Sequence, residues 1–315
     1  MGVVIGMDEA GYGPNLGPLV VTATVWEVTG HPRETNFWAA LDDVVQQSLP
    51  TDKFRLQVAD SKQVYSPSRG IANLEKSVLC ALRLLGYIPR SFHELLAHLT
   101  NDGHLLSHSE PWYKGQKLLL PYAIDECSIG DVAVRFDQCC KQNGIRLKAI
   151  QSDVVLTERF NRMTREFDSK SGALSRISMQ LLRQVWNPNA NEPTLVLADK
   201  HGGRNRYDTL LNQILDGRMI FRLQESKKLS RYRVDRTEIH FQVAAEVHFP
   251  VAMASMISKY LRELAMTLFN RFWMDQVPNL KPTKGYPVDA RRFKRDISDA
   301  QTRQNIPDEI LWRER

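Results

Sequence analysis

The rest of the chain has to be built around residues 3–28, VVIGMDEAGYGPNLGPLVVTATVWEV. An apolar run, expected as a buried strand over residues 3–8, ends on two adjacent acids, Asp8 and Glu9. Gly11, Gly13 and Gly17 follow, interleaved with Pro14 and ending at Pro18. A second stretch rich in Val and Thr then reads as a strand over residues 19–28. The short Gly/Pro connection predicts a hairpin. The chain therefore starts with a sheet whose first strand delivers carboxylates to a flexible turn.

Downstream, strands and helices alternate. Helical spacing is expected over residues 37–48, over 131–142, over 171–186 and over 251–273. Another helix is expected to start at Ser66-Pro67 and run to about residue 85, with Ile71, Leu74, Val78, Leu82 and Leu85 on one face. Strands are expected over 146–152, 194–198, 219–223 and 239–244. The tail from Pro278 is basic, with irregular patterning. This pattern defines an α/β protein with a mixed sheet. Its organisation reads as residues 1–275, with an inserted segment at about 87–140, followed by a basic C-terminal segment, 276–315. Asp8 and Asp199 each close a buried strand, and would converge at one sheet end if those strands are neighbours.

Composition excludes several classes. With 43% hydrophobic and 25% charged residues the chain is ordinary for a globular protein, and no apolar stretch approaches a membrane span. A strand-like run begins almost at once, so no signal peptide is expected, and Gly6 breaks a myristoylation motif. Cys80, Cys127, Cys139 and Cys140 form neither a zinc pattern nor a disulfide framework. A cytoplasmic protein with reduced thiols is expected. His104 and His108 have metal-like spacing but no third ligand nearby, and read as a solvated loop. Charge is uneven: residues 1–199 carry 20 Lys+Arg against 22 Asp+Glu, and residues 200–315 carry 22 against 14. A last third at net +8 fits a polyanionic partner, most simply nucleic acid, or a generally basic surface.

Adjacent strand residues point to opposite faces, so Asp8 and Glu9 meet one site only if the chain turns at Glu9. Gly11 and Gly13 permit such a turn and let backbone N–H groups approach an anion. Carboxylates and phosphates repel, and a hard divalent cation shared between their oxygens resolves the conflict. Two such ions could activate a water and stabilise the leaving oxygen of a phosphodiester. The plainer alternative is that Asp8 caps a turn and Glu9 is solvated. Ser255, Lys259 and Arg262 fall on one polar face of an otherwise apolar helix, facing phosphates or solvent. Lys62, beside Ser61 at a helix start, suits phosphate or is a surface lysine. Tyr286 could equally be a turn tyrosine packed on the core.

GMDEAGYGPNLGP resembles the first-strand motif of the type 2 ribonucleases H (ribonuclease HII), D-E-A-G-R-G ahead of G-P. VADSKQVYSPSRG resembles that family's D-S-K helix start, and SDVVLTERFN the segment before its central helix. LVLADKHG is similar to its third-acid strand, and EVHFPVAMASMISKYLRE to the run in which a fourth acid precedes Pro and an A-S-I-I-A-K helix. KGYP matches a G-Y-P near the family's C-terminal end. The six segments keep the family's order and cover most of the chain except about 87–140 and the extreme tail.

The resemblance implies a ribonuclease H-like fold, a central mixed β-sheet flanked by helices. It implies Asp8, Glu9, Asp199 and Glu246 as catalytic, metal-binding acids for Mg²⁺ or Mn²⁺, two ions in all. The substrate would be the RNA strand of RNA–DNA hybrids or ribonucleotides embedded in duplex DNA, cut to a 3′-hydroxyl and a 5′-phosphate. The turn Gly11, Tyr12 and Gly13 would read the 2′-OH through its backbone, with Ser61, Lys62, Ser255 and Lys259 on the nucleic acid and Tyr286 against a sugar. The chain departs from the pattern at Tyr12, where the family has Arg or Lys, and at Glu246, where it usually has Asp. It departs again at Lys200, where Gly is common, and at Thr283 and Val288 around the G-Y-P. Two alternatives stand beside the ribonuclease: another nuclease on the same fold, cutting DNA or branched nucleic acid, and a non-catalytic nucleic-acid-binding module.

Overall fold

The computed structural model describes residues 1–101, 110–215 and 217–314. Seven strands form one sheet in the order β5-β2-β1-β6-β9-β8-β7. These are β1 (Gly2–Ala10), β2 (Leu19–Val28), β5 (Ile145–Val155), β6 (Thr194–Asp199), β7 (Phe221–Glu225), β8 (Leu229–Val234) and β9 (Thr237–Gln242). Two short strands, β3 (Val45–Gln46) and β4 (Leu56–Gln57), pair separately. β1 and β2 form the expected antiparallel pair, from Gly2 opposite Val28 to Ala10 opposite Val20. β6 runs parallel to β1, and β9 parallel to β6. β5, β8 and β7 are antiparallel to their neighbours. The expected central mixed β-sheet flanked by helices is what this order and these directions give.

Both faces of the sheet centre are covered, which is why β1 and β2 read as near-continuous apolar runs rather than alternating ones. Alternation sends Val4 and Val20 into one core with helices Ala72–Leu84, Cys127–Gln142 and Phe249–Gln276. It sends Ile5, Met7 and Val21 into the opposite core, under helices Thr157–Glu166 and Lys170–Val185. Phe92, Trp112 and Phe136, and from the tail Phe293 and Leu311, belong to the first core together with Trp26 and Phe249. Helix Phe249–Gln276 carries Pro250 in its first turn and crosses β1 so closely that a Cβ on Gly6 would stand 2.2 Å from the Pro250 carbonyl carbon. Thr24 Oγ1 donates to the Pro250 carbonyl at 2.9 Å, fixing the same crossing from β2.

Several expectations are corrected. The helix placed at 37–48 ends at Ala40, because the β-branched pair Val44 and Val45 turns into the core and Val45 begins β3. The helix placed at Ser66 begins at Ala72: Ser66 and Gly70 close a turn, and Gly70 is left-handed at φ +69°, which a right-handed helix cannot continue. β8 and helices Phe92–Leu99 and Thr157–Glu166 were not foreseen, although β8 alternates buried Ser230, Tyr232 and Val234. The tail is not irregular but holds helices Pro287–Asp296, Ser298–Arg303 and Asp308–Leu311, anchored by Ala290, Phe293 and Ile297. Cys80, Cys139 and Cys140 are buried free thiols, and Cys127 is an exposed one. His104 and His108 lie outside the described residues. Among the described residues no helix is long and apolar enough to cross a membrane.

The Gly6 contact sets a direct test. Gly6→Ala is expected to cost at least about 2 kcal/mol through overpacking, seen as a clear fall in the thermal midpoint. Gly13→Ala, where a Cβ would meet nothing within 4 Å, should leave the midpoint nearly unchanged. Equal midpoints for the two variants would contradict the close crossing.

Candidate active site

β1, β6 and β9 are parallel neighbours, so their C-terminal ends lie together. Asp8 follows Met7, which pairs with Ala198, and Asp199 pairs with Gln242. Glu246 lies in a single 3₁₀ turn, Ala245–Val247, just beyond β9. The Ala245 N–H donates to Asp199 Oδ1 at 3.3 Å and ties that turn to the end of β6. The chain does not turn at Glu9. β1 continues to Ala10, and the left-handed residue is Gly11 at φ +91°. By alternation Asp8 and Asp199 therefore share the face that packs on the long helix, as Val4 and Leu197 do, while Glu9 follows Ile5 and Met7 on the other face.

Despite the two faces, the four carboxylates act on one another. Burial, then Glu9, Glu246 and Asp199, pushes the Asp8 carboxyl well above the usual range, with the nearby Ser255 hydroxyl opposing. Burial and Asp199 push Glu9 up to about 7, with Lys62 opposing. Asp199 is raised by burial against the backbone N–H groups of Ala245 and Lys200. Glu246 is raised by burial, and further by Asp199 and Asp60. The Glu9 N–H donates to Asp8 Oδ1 at 2.8 Å and holds that carboxylate at the strand end. Among the described residues no three acidic, histidine or cysteine side chains already stand as an enclosing ligand set. The donor chemistry nevertheless fits a hard divalent cation: four carboxylates, oxygen donors throughout, with more negative charge than their surroundings neutralise.

The other expected residues surround this end of the sheet. Asp60 caps the short helix Ser61–Val64 by accepting from the Lys62 N–H at 3.0 Å. Burial depresses the Lys62 ammonium, but Asp60, Glu246, Asp8 and Asp199 outweigh it and raise it. Ser255 is buried, with its Oγ donating to Ser61 Oγ at 3.2 Å. Lys259 is mostly buried, 2.7 Å from Glu263 and 4.6 Å from the centre of the Tyr65 ring. Arg262 corrects the polar-face reading: it is 1% exposed and faces neither phosphate nor solvent. It donates to the carbonyls of Leu16 and Lys284, both at 3.1 Å. Tyr286 is 53% exposed, not packed into the core.

The glycine turn is braced from behind by residues that its own sequence does not reveal. Arg313, fully buried, donates to the carbonyls of Gly11 (2.5 Å), Tyr12 (3.2 Å) and Gly17 (3.4 Å). Its guanidinium lies 3.9 Å from the centre of the Phe160 ring, and burial and Arg262 push it down to about 9. The peptides at Gly11 and Tyr12 are trans, so each amide opposes its carbonyl, and the Tyr12 and Gly13 N–H groups point away from Arg313. Gly13 is exposed with open space around it. Gly285 of the KGYP segment docks on the same turn, accepting from the Asn15 and Leu16 N–H groups at 2.8 and 3.3 Å. A Cβ on Gly285 would stand 2.4 Å from the Leu16 carbonyl oxygen, and its φ is +81°. No local signal at position 313 announces a contact reaching 302 residues back.

No family model matches this sequence, and no curated protein matches it. Among solved structures it is similar to the ribonuclease H2 from Pyrococcus horikoshii OT3, at 15% identity over 98% of this chain and 92% of that one, with a TM-score of 0.49. It is also similar to the RNase HII of Archaeoglobus fulgidus, solved as a complex with PCNA, at 13% identity over 99% and 94% of the two chains and a TM-score of 0.44. Bst-RNase HIII in complex with Mn²⁺ is similar at 17% identity over 99% of this chain and 66% of that one, with a TM-score of 0.39.

Glu263 organises the cations beside the turn, 2.7 Å from Lys259 and 2.6 Å from Lys284, and the Tyr65 hydroxyl donates to it at 2.8 Å. Burial opposes its charge, yet Lys259 and Lys284 hold the carboxyl at about 2. A carboxyl held below its ordinary 4.5 contributes stability above that pH, and loses it as pH falls toward 2. The contribution is on the order of 3 kcal/mol. Glu263→Gln is therefore expected to be less stable at pH 7, and to lack this share of the acid loss when urea unfolding is compared at pH 7 and pH 3. Parallel losses in the two proteins would contradict the assignment.

Proposed function

We propose that this chain is a metal-dependent endonuclease of the ribonuclease H type, hydrolysing the RNA strand of RNA–DNA hybrids or ribonucleotides embedded in duplex DNA. The observation that carries the reading is the meeting of Asp8, Glu9, Asp199 and Glu246 at the ends of three parallel strands, each raised by burial, and Asp8, Glu9 and Glu246 also by the neighbouring carboxylates. Buried carboxylates that repel one another are costly unless a cation or proton offsets them.

The four acids would hold Mg²⁺ or Mn²⁺, two ions in this reading. The chemistry supplied by the bound cations is activation of water and stabilisation of the departing oxygen, giving a 3′-hydroxyl and a 5′-phosphate. The chain's own residues do the rest. The Glu9 N–H holds the Asp8 carboxylate, and the Ala245 N–H holds Asp199. Lys62, kept charged by the acids, is available to a phosphate oxygen. Arg313 and Arg262 fix the carbonyls of the glycine turn, which leaves the Tyr12 and Gly13 amides free to meet a ribose 2′-OH. The exposed Tyr286 ring offers a surface for a neighbouring sugar.

Tyr12 favours a second reading. It stands where the resemblance calls for a basic residue, is half-buried, and has its hydroxyl near Gly202. A nuclease of this fold that has lost 2′-OH dependence would cut DNA instead.

The test is cleavage of three labelled duplexes with Mg²⁺ or Mn²⁺: a full RNA–DNA hybrid, DNA with one ribonucleotide, and all-DNA. Cutting of the first two is expected, with a loss of at least about a hundredfold in Asp8→Asn. Cutting of DNA alone would move the assignment to the second reading. No cutting with any divalent ion, with tight salt-sensitive binding kept, would leave a nucleic-acid-binding module.

A further inference from the structure

The hairpin β7–β8 extends the sheet past β9 and is strongly basic. Residues 218–236 carry seven Lys and Arg against two acids. Arg218 is paired with Asp235, and Arg222 with Asp208 and Glu225. Lys227 and Lys228, at the tip, are exposed and have no carboxylate partner among the described residues. Arg233 is also exposed, 5.2 Å from the centre of the Phe221 ring, and Met219, Phe221 and Leu223 are exposed beside it.

The position of the tip is fixed by register. Leu229 pairs with Gln242, and Gln242 with Asp199, so the three lie in one row across the sheet. Lys228 therefore stands about two strand spacings, roughly 10 Å, from Asp199 at the same sheet end. Lys200 locks it there. This lysine is 7% exposed and donates to the carbonyls of Ser226 (2.7 Å) and Arg204 (3.1 Å), to Ser230 Oγ (2.9 Å) and to Asn205 Oδ1 (3.3 Å). The Val243 N–H donates to the Lys228 carbonyl at 2.9 Å. Lys200, where the resemblance calls for Gly, is thus a buried tie between the acid strand and the hairpin tip.

We propose that the tip of the β7–β8 hairpin, through Lys227 and Lys228, grips the phosphate backbone of the substrate duplex beside the acids. The inference rests on the nuclease reading and names a substrate-contacting surface for it. The occupant is a polyanion: the cations at the tip have no carboxylate partner among the described residues, and they are held within one duplex width of the site. Pairing of edge strands with a second copy fits less well, because β7 is interrupted by a register shift between Arg222 and Gln224, which blunts an edge.

The experiment measures binding of a fluorescent RNA–DNA hybrid and a DNA duplex to the Asp8→Asn chain between 50 and 200 mM salt, with and without Lys227→Gln and Lys228→Gln. Each lost phosphate contact should lower the salt slope by about 0.9, so the double variant should lose about 1.8, roughly a tenfold smaller salt penalty over this range. Affinity should fall equally for both duplexes. An unchanged slope, with cleavage by the chain bearing Asp8 intact, overturns this inference alone. The expected slope change without cleavage by that chain supports the grip and overturns the catalytic reading. No binding of either duplex overturns both. A change in oligomeric state on Phe221→Ser and Leu223→Ser, with duplex binding unaltered, would make this face an interface between copies and contradict the proposal.

Discussion

Repulsion among crowded carboxylates, one buried and three half-buried, is the condition on which this architecture turns. Three parallel strands end side by side, and each end, or the turn beyond it, carries an acid. The parallel arrangement makes the convergence unavoidable: once β6 pairs with β1 and β9 with β6, Asp8, Asp199 and Glu246 cannot be separated without breaking ladder hydrogen bonds. Glu9 joins from the opposite face, which spreads the carboxylates around the sheet end. On the proposed reading these carboxylates would hold a divalent cation, whose charge would offset their repulsion, and that relief would be binding energy.

The surroundings are arranged to tolerate this charge without quenching it. Lys62 is close enough to be raised by the acids, yet sits on its own short helix. The other cations nearby are used for structure. Arg262 and Arg313 hold carbonyls of the glycine turn, Lys200 ties the hairpin, and Lys259 and Lys284 neutralise Glu263. Buried guanidinium groups are stable here because backbone carbonyls accept hydrogen bonds from them and, for Arg313, because the Phe160 ring lies across the charge. The glycine turn gains a fixed shape that its own residues could not impose.

What was legible in the sequence follows range of interaction. β1, β2 and β6 were readable because a sheet covered on both faces demands unbroken apolar runs, and the acids at their ends stood out against those runs. The helix expected at Ser66 failed because the left-handed Gly70 outranked a plausible cap. The helix at 37–48 failed because Val44 and Val45 mimic helical spacing while serving the core. Glu9 could share a face with Asp8 only if the chain turned at Glu9, but the strand outlasts it by a residue. Arg313, Lys200 and Glu263 were invisible as site supports, since each works through tertiary partners that no local pattern encodes. Arg262 was visible, but as a polar-face residue rather than a buried brace.

The most direct test of the central claim is Mn²⁺ binding, followed by calorimetry and by the electron paramagnetic resonance of the free ion. Saturable binding is expected in the natural chain, with loss of most affinity in Asp8→Asn and in Asp199→Asn while both variants remain folded. Binding that is absent at millimolar Mn²⁺, or that persists unchanged in both variants, would contradict the account of these carboxylates as a divalent-cation site.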